Sequence, residues 1–338
     1  MTFRRLAIVA AATAAVTASV IAVPFSPASA DDRRGGYTIG LWGDQPYNAA
    51  GIAAEASVVA DINKQELVFT VFDGDIKAGK NSFCGTDPVT GYNPYTNAQS
   101  MFGSIKWATV YTPGDNEWTD CDRISNGSLD PNVQLALIRS MFFSDDESLG
   151  QDPLDLTQQS AQFPENARWE HDGVTFITVH APGTDNNAPQ FDAAGNMLTP
   201  DGKITTDPTK QNGNLAEYTA RNAANLAWLQ SGFDFAKKRG SKGVMVIQQA
   251  DMWNSPINSD PVVHYADEKA ALARLVAGFS GQVALINGDS HVMTVDNPLD
   301  LPNFTRVVTP GDTQHGWVRV DVNAKSPAVF TFTPQLLP

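Results

Sequence analysis

The run Leu67-Val68-Phe69-Thr70-Val71-Phe72-Asp73-Gly74-Asp75 decides the fold. Residues 67–72 are apolar and rich in β-branched and aromatic types, the composition of a strand. The strand runs straight into two acids around a glycine. The same plan recurs on either side. Residues 37–42 read as a strand that stops at Gly43-Asp44, and Ile52, Ala56, Val59 and Ile62 then follow at helical spacing. Residues 107–111 read as a third strand, ending in Pro113-Gly114-Asp115-Asn116-Glu117. A βαβ alternation of this kind predicts an α/β fold.

Further along, a helix is expected over 132–143 and a strand over 174–179 that delivers His180 at its end. The polar stretch 183–213, rich in Asn, Asp and Pro, reads as a long loop. A helix with Leu226, Leu229, Phe233 and Ala236 on one face comes next, closed by Lys237-Lys238-Arg239 and the C-cap Gly240. Residues 244–247 form a strand leading into Gln248-Gln249-Ala250-Asp251. A helix capped by Asp267 and carrying Leu272, Leu275, Val276 and Phe279 precedes a strand over 283–286, which ends in Asn287-Gly288-Asp289-Ser290-His291. Strand-like runs near Phe304, Trp317 and Phe330 finish the chain without intervening helices. No internal repeat or composition break marks a second domain, and the layout predicts two packed sheets flanked by helices.

The chain opens with Arg4-Arg5, an apolar run over 6–23, a break at Pro24 and the small residues Ala28-Ser29-Ala30. That is the three-part plan of a secretory signal cleaved after Ala30, which leaves a mature domain over 31–338. The expected location is secreted, extracellular or periplasmic. The paired arginines fit twin-arginine export loosely, and ordinary Sec export fits as well. Cleavage takes two arginines and no acid, so the net charge of −14 becomes −16. So acidic a surface repels phosphodiester polymers and argues against a nucleic-acid partner. No later segment is apolar and long enough to span a bilayer, so no stable membrane association is expected after cleavage. Nothing in the sequence fixes the oligomeric state. Cys84 and Cys121 would meet oxidising conditions, where a disulfide is the default.

In open α/β sheets the ligand crevice lies beyond the carboxyl ends of the strands, where several loops converge on one rigid edge. Here those ends supply Asp44, Asp73, Asp75, Asp115, Glu117, Asp289, His180 and His291. Gathering so many carboxylates in one cleft either raises their pKa values or demands a compensating cation. A divalent metal is the simplest one.

The order Gly43-Asp44, Gly74-Asp75, Gly114-Asp115-Asn116-Glu117 and Gly288-Asp289-Ser290-His291, each after a strand, resembles the calcineurin-like metallophosphoesterases. The resemblance runs over nearly all of the mature chain and implies a four-layer α/β/β/α sandwich of two mixed sheets. It further implies two divalent metal ions bridged by Asp75, with Asp44 and His291 on the first and Asp115 on the second. Gln249 and Asp289 fall where the family places histidine ligands. A metal-bound hydroxide would then attack the phosphorus of a small phosphorylated substrate, a mono- or diester. Manganese, iron, magnesium, calcium and zinc all remain open.

The departures from the family pattern are as informative as the matches. Pro46 stands where a ligating histidine is usual, and Asn116 takes the place of the catalytic histidine. Asp251 is a stand-in for the histidine missing at Gln249. Carboxylates and amides in place of imidazoles favour harder ions over zinc. Asn116 cannot donate a proton as an acid, which leaves His180 or a metal-bound water to serve the leaving group. Two readings follow: a secreted metal-dependent phosphoesterase, or a catalytically inactive protein of that fold acting as an extracellular binding module. A glycosidase using paired carboxylates is a third and would need no metal.

Overall fold

The computed structural model of the chain describes residues 35–253, 263–312 and 314–337. The export signal expected over 1–30 lies outside the described residues. Three parallel strands, β1 (Tyr37–Trp42), β2 (Phe69–Phe72) and β3 (Ala108–Tyr111), carry the first acidic turns. The second sheet is built from β4 (Thr157–Ser160), β5 (Phe163–His171), β6 (Val174–Thr178), β7 (Gly243–Ile247), β8 (Gln282–Asn287), β9 (Thr294–Asp296) and β10 (Phe304–Val308). The chain then returns to the first sheet with β11 (Gly316–Val322) and β12 (Phe330–Leu336). The orders are β12-β11-β1-β2-β3 and β4-β5-β6-β7-β8-β10-β9. Both sheets are mixed: β11 is antiparallel to β1, whereas β6, β7, β8 and β10 run parallel in a sheet with antiparallel edges.

Side chains alternate across a strand, and this alternation builds the layers. Leu41 and Val71 face inward with Ile39, Phe69 and Val110, and they meet Phe176, Met245, Ile247 and Ile286 of the facing sheet. Their neighbours Trp42, Phe72 and Tyr111 point outward beneath helices α1 (Ala49–Lys64), α2 (Pro94–Gly103) and α3 (Pro131–Phe142). On the other side Ile177, Val244, Val246 and Leu285 point outward. They are covered by α5 (Leu215–Arg239) and α6 (Ala266–Ala277), which follow a single turn, α4 (Gly183–Asn186). The result is the expected α/β/β/α sandwich. Helix starts are fixed by polar caps: Asn48 accepts from Ala50 and Gly51, Asp130 precedes Pro131, and Asn214 accepts from Ala216 and Glu217. Gly240 closes α5 at a φ of 72°, after Lys237, Lys238 and Arg239.

Several elements differ from expectation. Tyr265, not Asp267, stands at the cap of α6, and Asp267 sits inside its first turn. The polar strand β4 and the longer β5 were not foreseen, because β5 buries Glu165 and Asn166 where a core strand ordinarily shows apolar residues. Helix α2 is hidden by its polar composition, although Asn93 and Pro94 form a good start signal. Cys84 and Cys121 are bonded across 37 residues, joining the loop after β2 to the loop after β3. Among the described residues no helix is long and apolar enough to cross a membrane.

Candidate metal centre

The loops beyond β1, β2, β3 and β8 meet at one end of the two sheets. Asp44, Asp75 and His291 each offer a ligand atom, and these atoms lie within 4.8 Å of one another. His291 Nε2 stands 3.3 Å from Asp44. Asp115 and Asp289 line the same cleft beside Asp75 and His291. Asp44, Asp75, Asp289 and His291 have φ values of 50°, 62°, 70° and 61°, a left-handed conformation that a non-glycine residue keeps only where its surroundings enforce it.

Three of the four Gly-Asp glycines, Gly43, Gly114 and Gly288, stand against an acid from another loop. A Cβ on Gly114 would collide with the carboxylate of Asp75, and one on Gly288 would collide with that of Asp44. This crosswise fit lets backbone and carboxylate approach closely enough to pack the acids together.

Asp75 sits at the middle. One oxygen lies 2.7 Å from the Tyr47 hydroxyl and accepts from the Asn116 amide at 2.6 Å and the Gln249 amide at 3.1 Å. The other accepts from the Asn116 backbone N–H at 3.1 Å. The Tyr47 hydroxyl is also 3.0 Å from Asp44, whose carboxylate takes the Asp289 N–H. Beneath them Glu117 accepts from Tyr111 Oη and from the N–H groups of Gly114 and Asp75, which fixes the two turns to each other.

Burial pushes the Asp75 carboxyl well above the usual range, and the charges of Asp115, Glu117 and Asp44 add to it. Asp73 is raised by burial and by Asp44, and Asp289 by burial, Asp115 and Asp44. Burial alone would lower His291, but its hydrogen bond to Asp44 and the charges of Asp44, Asp312 and Asp115 raise it. Placement of this kind favours the protonated form of each group. One oxygen of Asp115 is buried without a partner.

Other expected site residues lie elsewhere or face otherwise. Gln249 gives its carbonyl oxygen to the Gly183 N–H and turns its NH₂ group toward Asp75. Toward Asp75 it therefore presents a donor, where the resemblance implied a ligand. Asp251 is no stand-in either, since Arg306 and Ser290 bind its carboxylate. His180 is fully buried with Nδ1 2.8 Å from Glu165, and it does not line the cleft. Burial lowers the imidazole, while Glu165 opposes that shift. As a proton donor to substrate it is misplaced, and its work is internal. Asn116 lines the cleft and donates to Asp75.

The structure adds residues that the sequence did not mark. Tyr47, three positions after Asp44, touches both central carboxylates. Lys77 is buried, donates to the carbonyls of Ala78 and Asn116, and is pulled down by burial to about 8 against the attraction of Asp120, Glu117 and Asp75. Asp120, Arg123 and Thr184 form one wall, with Arg123 bonded to Asp120 and to the Gly79 carbonyl. Spacing hinted at Tyr47 and Lys77, each within three residues of a predicted acid. For Thr184 the sequence held no signal.

Thr184 belongs to an unusual segment. Thr184, Asp185, Asn186 and Asn187 have φ values of 43°, 58°, 58° and 57°, so α4 winds left-handed without a single glycine among these four. For L-residues this costs roughly 1–2 kcal/mol each, least for Asn and Asp. Neighbours hold it in place. Asp185 bonds His264 at 2.8 Å, Asn186 bonds the buried Arg221 at 2.6 Å, Asn187 bonds Glu217 at 2.7 Å, and Tyr265 Oη accepts the Asn186 N–H.

No sequence profile of a known protein family matches this chain. No curated protein matches it. Among solved structures it is similar to GAP50 of Plasmodium, described as the anchor in the inner membrane complex, at 11% identity over 90% of each chain with a TM-score of 0.50. At that identity the likeness is one of fold alone. The chain also aligns with a dimetal phosphatase from Danio rerio at 12% identity, covering 85% of this chain and 92% of that one with a TM-score of 0.44. A 5'-nucleotidase from Candida albicans aligns at 11% identity over 88% of this chain and 50% of that one, with a TM-score of 0.41. These two are too distant to bear on the chemistry of the cleft.

Proposed function

We propose that the cleft binds divalent cations and hydrolyses small phosphate esters. The observation that carries this reading is the convergence of Asp44, Asp75 and His291 from three separate strand ends, with ligand atoms within 4.8 Å. The donor set fits such an ion. The three residues supply carboxylate and imidazole, Asp115 adds an unpartnered buried oxygen, and oxygen-rich sets favour Mn²⁺, Mg²⁺ or Ca²⁺ over zinc. Asp44, Asp75 and His291 would hold one ion, and Asp115 and Asp289 would supply oxygens beside it. A bound cation supplies charge stabilisation at the phosphoryl group and a more acidic water.

The chain's own residues supply binding and exclude one route. The cleft has a volume of about 460 Å³ and carries Asp75, Asp115, Asp120 and Asp289 against Lys80 and Arg123. Without cations it repels a phosphate, and with them the balance reverses. Arg123 and Lys80 stand on its wall for phosphoryl oxygens. Among the described residues neither expected candidate serves the leaving group as an acid, since Asn116 carries an amide and His180 is turned to Glu165. Esters whose leaving group needs no proton are the substrates this site suits. Export through the segment over 1–30 belongs to the same reading, and the disulfide between Cys84 and Cys121 accords with it.

Manganese titrated into chelator-treated protein while aryl phosphate hydrolysis is followed tests the proposal. Metal-dependent turnover that disappears in Asp75→Asn supports it. Stoichiometric ion binding without turnover of any phosphate ester would leave a binding module. One observation favours that second reading: Tyr47, Asn116 and Gln249 already surround Asp75 with neutral donors.

A further inference from the structure

The left-handed turn and the acid cluster meet at one atom, the hydroxyl oxygen of Thr184. It bonds to one carboxylate oxygen of Asp115 and lies 2.9 Å from Asp120, with the Arg123 guanidinium 3.4 Å away. Asp120 is itself bound by Arg123, so this side of the contact is anchored. The other oxygen of Asp115, Oδ1, is buried and unpartnered. It faces Gly183, where a Cβ would stand 2.7 Å from it and 3.0 Å from an oxygen of Asp289. Gly183 therefore leaves the space into which Asp115 and Asp289 both reach, and the residue after it holds Asp115 in that orientation. The next three residues are tied away from the cleft. Their side chains bond His264, Arg221 and Glu217, which lie behind the turn.

We propose that Thr184 is a positioning residue: held by the left-handed turn, its hydroxyl fixes one oxygen of Asp115 and aims the other, with Asp289, at a divalent cation. This rests on the reading of the cleft as a cation site. A strained backbone persists where the surroundings over-determine it, and such strain is concentrated where a side chain must be presented at one angle. Here the angle belongs to Thr184. A right-handed turn at the same place would carry the hydroxyl away from Asp115 and leave that carboxylate free to rotate. Partners that orient a metal-binding carboxylate are typically worth 10- to 100-fold in metal affinity.

The experiment is calorimetric titration of Mn²⁺ into chelator-treated full-length protein, comparing the native chain with Thr184→Val, Thr184→Ser and Asp75→Asn. Thr184→Val is expected to weaken binding by roughly 10- to 100-fold, with Thr184→Ser close to native because it keeps the hydroxyl. Unchanged Mn²⁺ affinity in Thr184→Val, together with loss in Asp75→Asn, would overturn the role of Thr184 and leave the cation site standing. Absence of Mn²⁺ binding in the native chain would overturn both. Equal weakening in the Val and Ser variants would also overturn it, since packing rather than the hydroxyl would then be responsible. Should Thr184→Val fail to fold, Thr184→Ala removes the hydroxyl without added bulk and carries the same expectation.

Discussion

Thermal unfolding of the metal-free protein, followed with and without Mn²⁺ at two pH values, probes the central claim that the cluster is built for cations. Asp75 and Asp289 have carboxyl groups raised by burial and by each other's neighbours. A carboxyl raised in the folded state binds protons more tightly there than in the unfolded chain. Its stabilising contribution is full below the ordinary carboxylate range and is lost as pH rises through the raised value. Metal-free protein should therefore be more stable at pH 5 than at pH 7.5. An ion that binds only the folded state adds about 2.7 kcal/mol at one hundred times its dissociation constant. At roughly 2–4 °C per kcal/mol for a large domain, the unfolding midpoint should rise by about 5–10 °C at pH 7.5. At pH 5 protons compete for the same oxygens, and the rise should shrink or vanish. Differential scanning calorimetry at fixed ion concentration measures all four conditions. Midpoints unmoved by Mn²⁺, Mg²⁺, Ca²⁺ and Zn²⁺ at pH 7.5 would refute the reasoning, as would an equal rise in Asp75→Asn.

Asp75→Asn should raise the stability of the metal-free protein at pH 7.5 while abolishing its response to Mn²⁺, because it removes the most crowded carboxylate; denaturant midpoints check both. Aryl phosphates should be hydrolysed far faster than alkyl phosphates, and equal rates in a parallel assay would show that leaving-group protonation is supplied. Arg221 is fully buried and bonds Glu217, Asn186 and the His180 carbonyl. Arg221→Met should cost roughly 3–5 kcal/mol in urea unfolding, since it leaves Glu217 without its cation and releases the turn. Replacing Cys84 and Cys121 together by alanine removes a cross-link spanning 37 residues, worth about 4 kcal/mol by loop closure. Reductant should lower the unfolding midpoint of the native chain and leave the double variant unmoved.

The layers and the central acids were legible in the sequence for one physical reason. Strands β1, β2, β3, β6, β7 and β8 are short and almost wholly buried, so they read as apolar runs, and each is followed within three residues by Gly, Asp, His or Gln. That pattern located Asp44, Asp75, Asp115, Asp289 and His291 at one edge. What escaped is what three-dimensional pairing alone decides. Glu165 lies in the interior because Arg139 and His180 meet it, and these two, with the buried carboxylate's own desolvation opposing them, hold it down to about 2. No periodicity announces such a partner. Gln249 occupies a histidine's place in the order of motifs, yet its orientation was set by the Gly183 N–H, which sequence spacing does not reveal. The stretch over 183–213 read as a loop because Asn and Asp favour loops, and the same tolerance of positive φ allows the left-handed turn.

Strain and repulsion are concentrated at one end of this molecule, and their distribution bears on why the rest is so well packed. Four residues of the acid cluster, Asp44, Asp75, Asp289 and His291, and four of the adjacent turn adopt left-handed backbone, and buried carboxylates crowd Asp75. Each of these features destabilises the metal-free fold. The opposing contributions lie where no ligand is needed: the apolar layer between the sheets, the aromatic group of Trp42, Phe72 and Tyr111 packed against Phe102 of α2, the Cys84–Cys121 bond and the buried Arg221 network. Two of these act on the site directly. The disulfide ties the loops that carry Asp75 and Asp115, and Arg221 holds the turn that carries Thr184. Acids that would otherwise move apart to reach solvent are thereby kept close, and under the proposed function the repulsion retained in the folded chain is free energy that a bound cation would release.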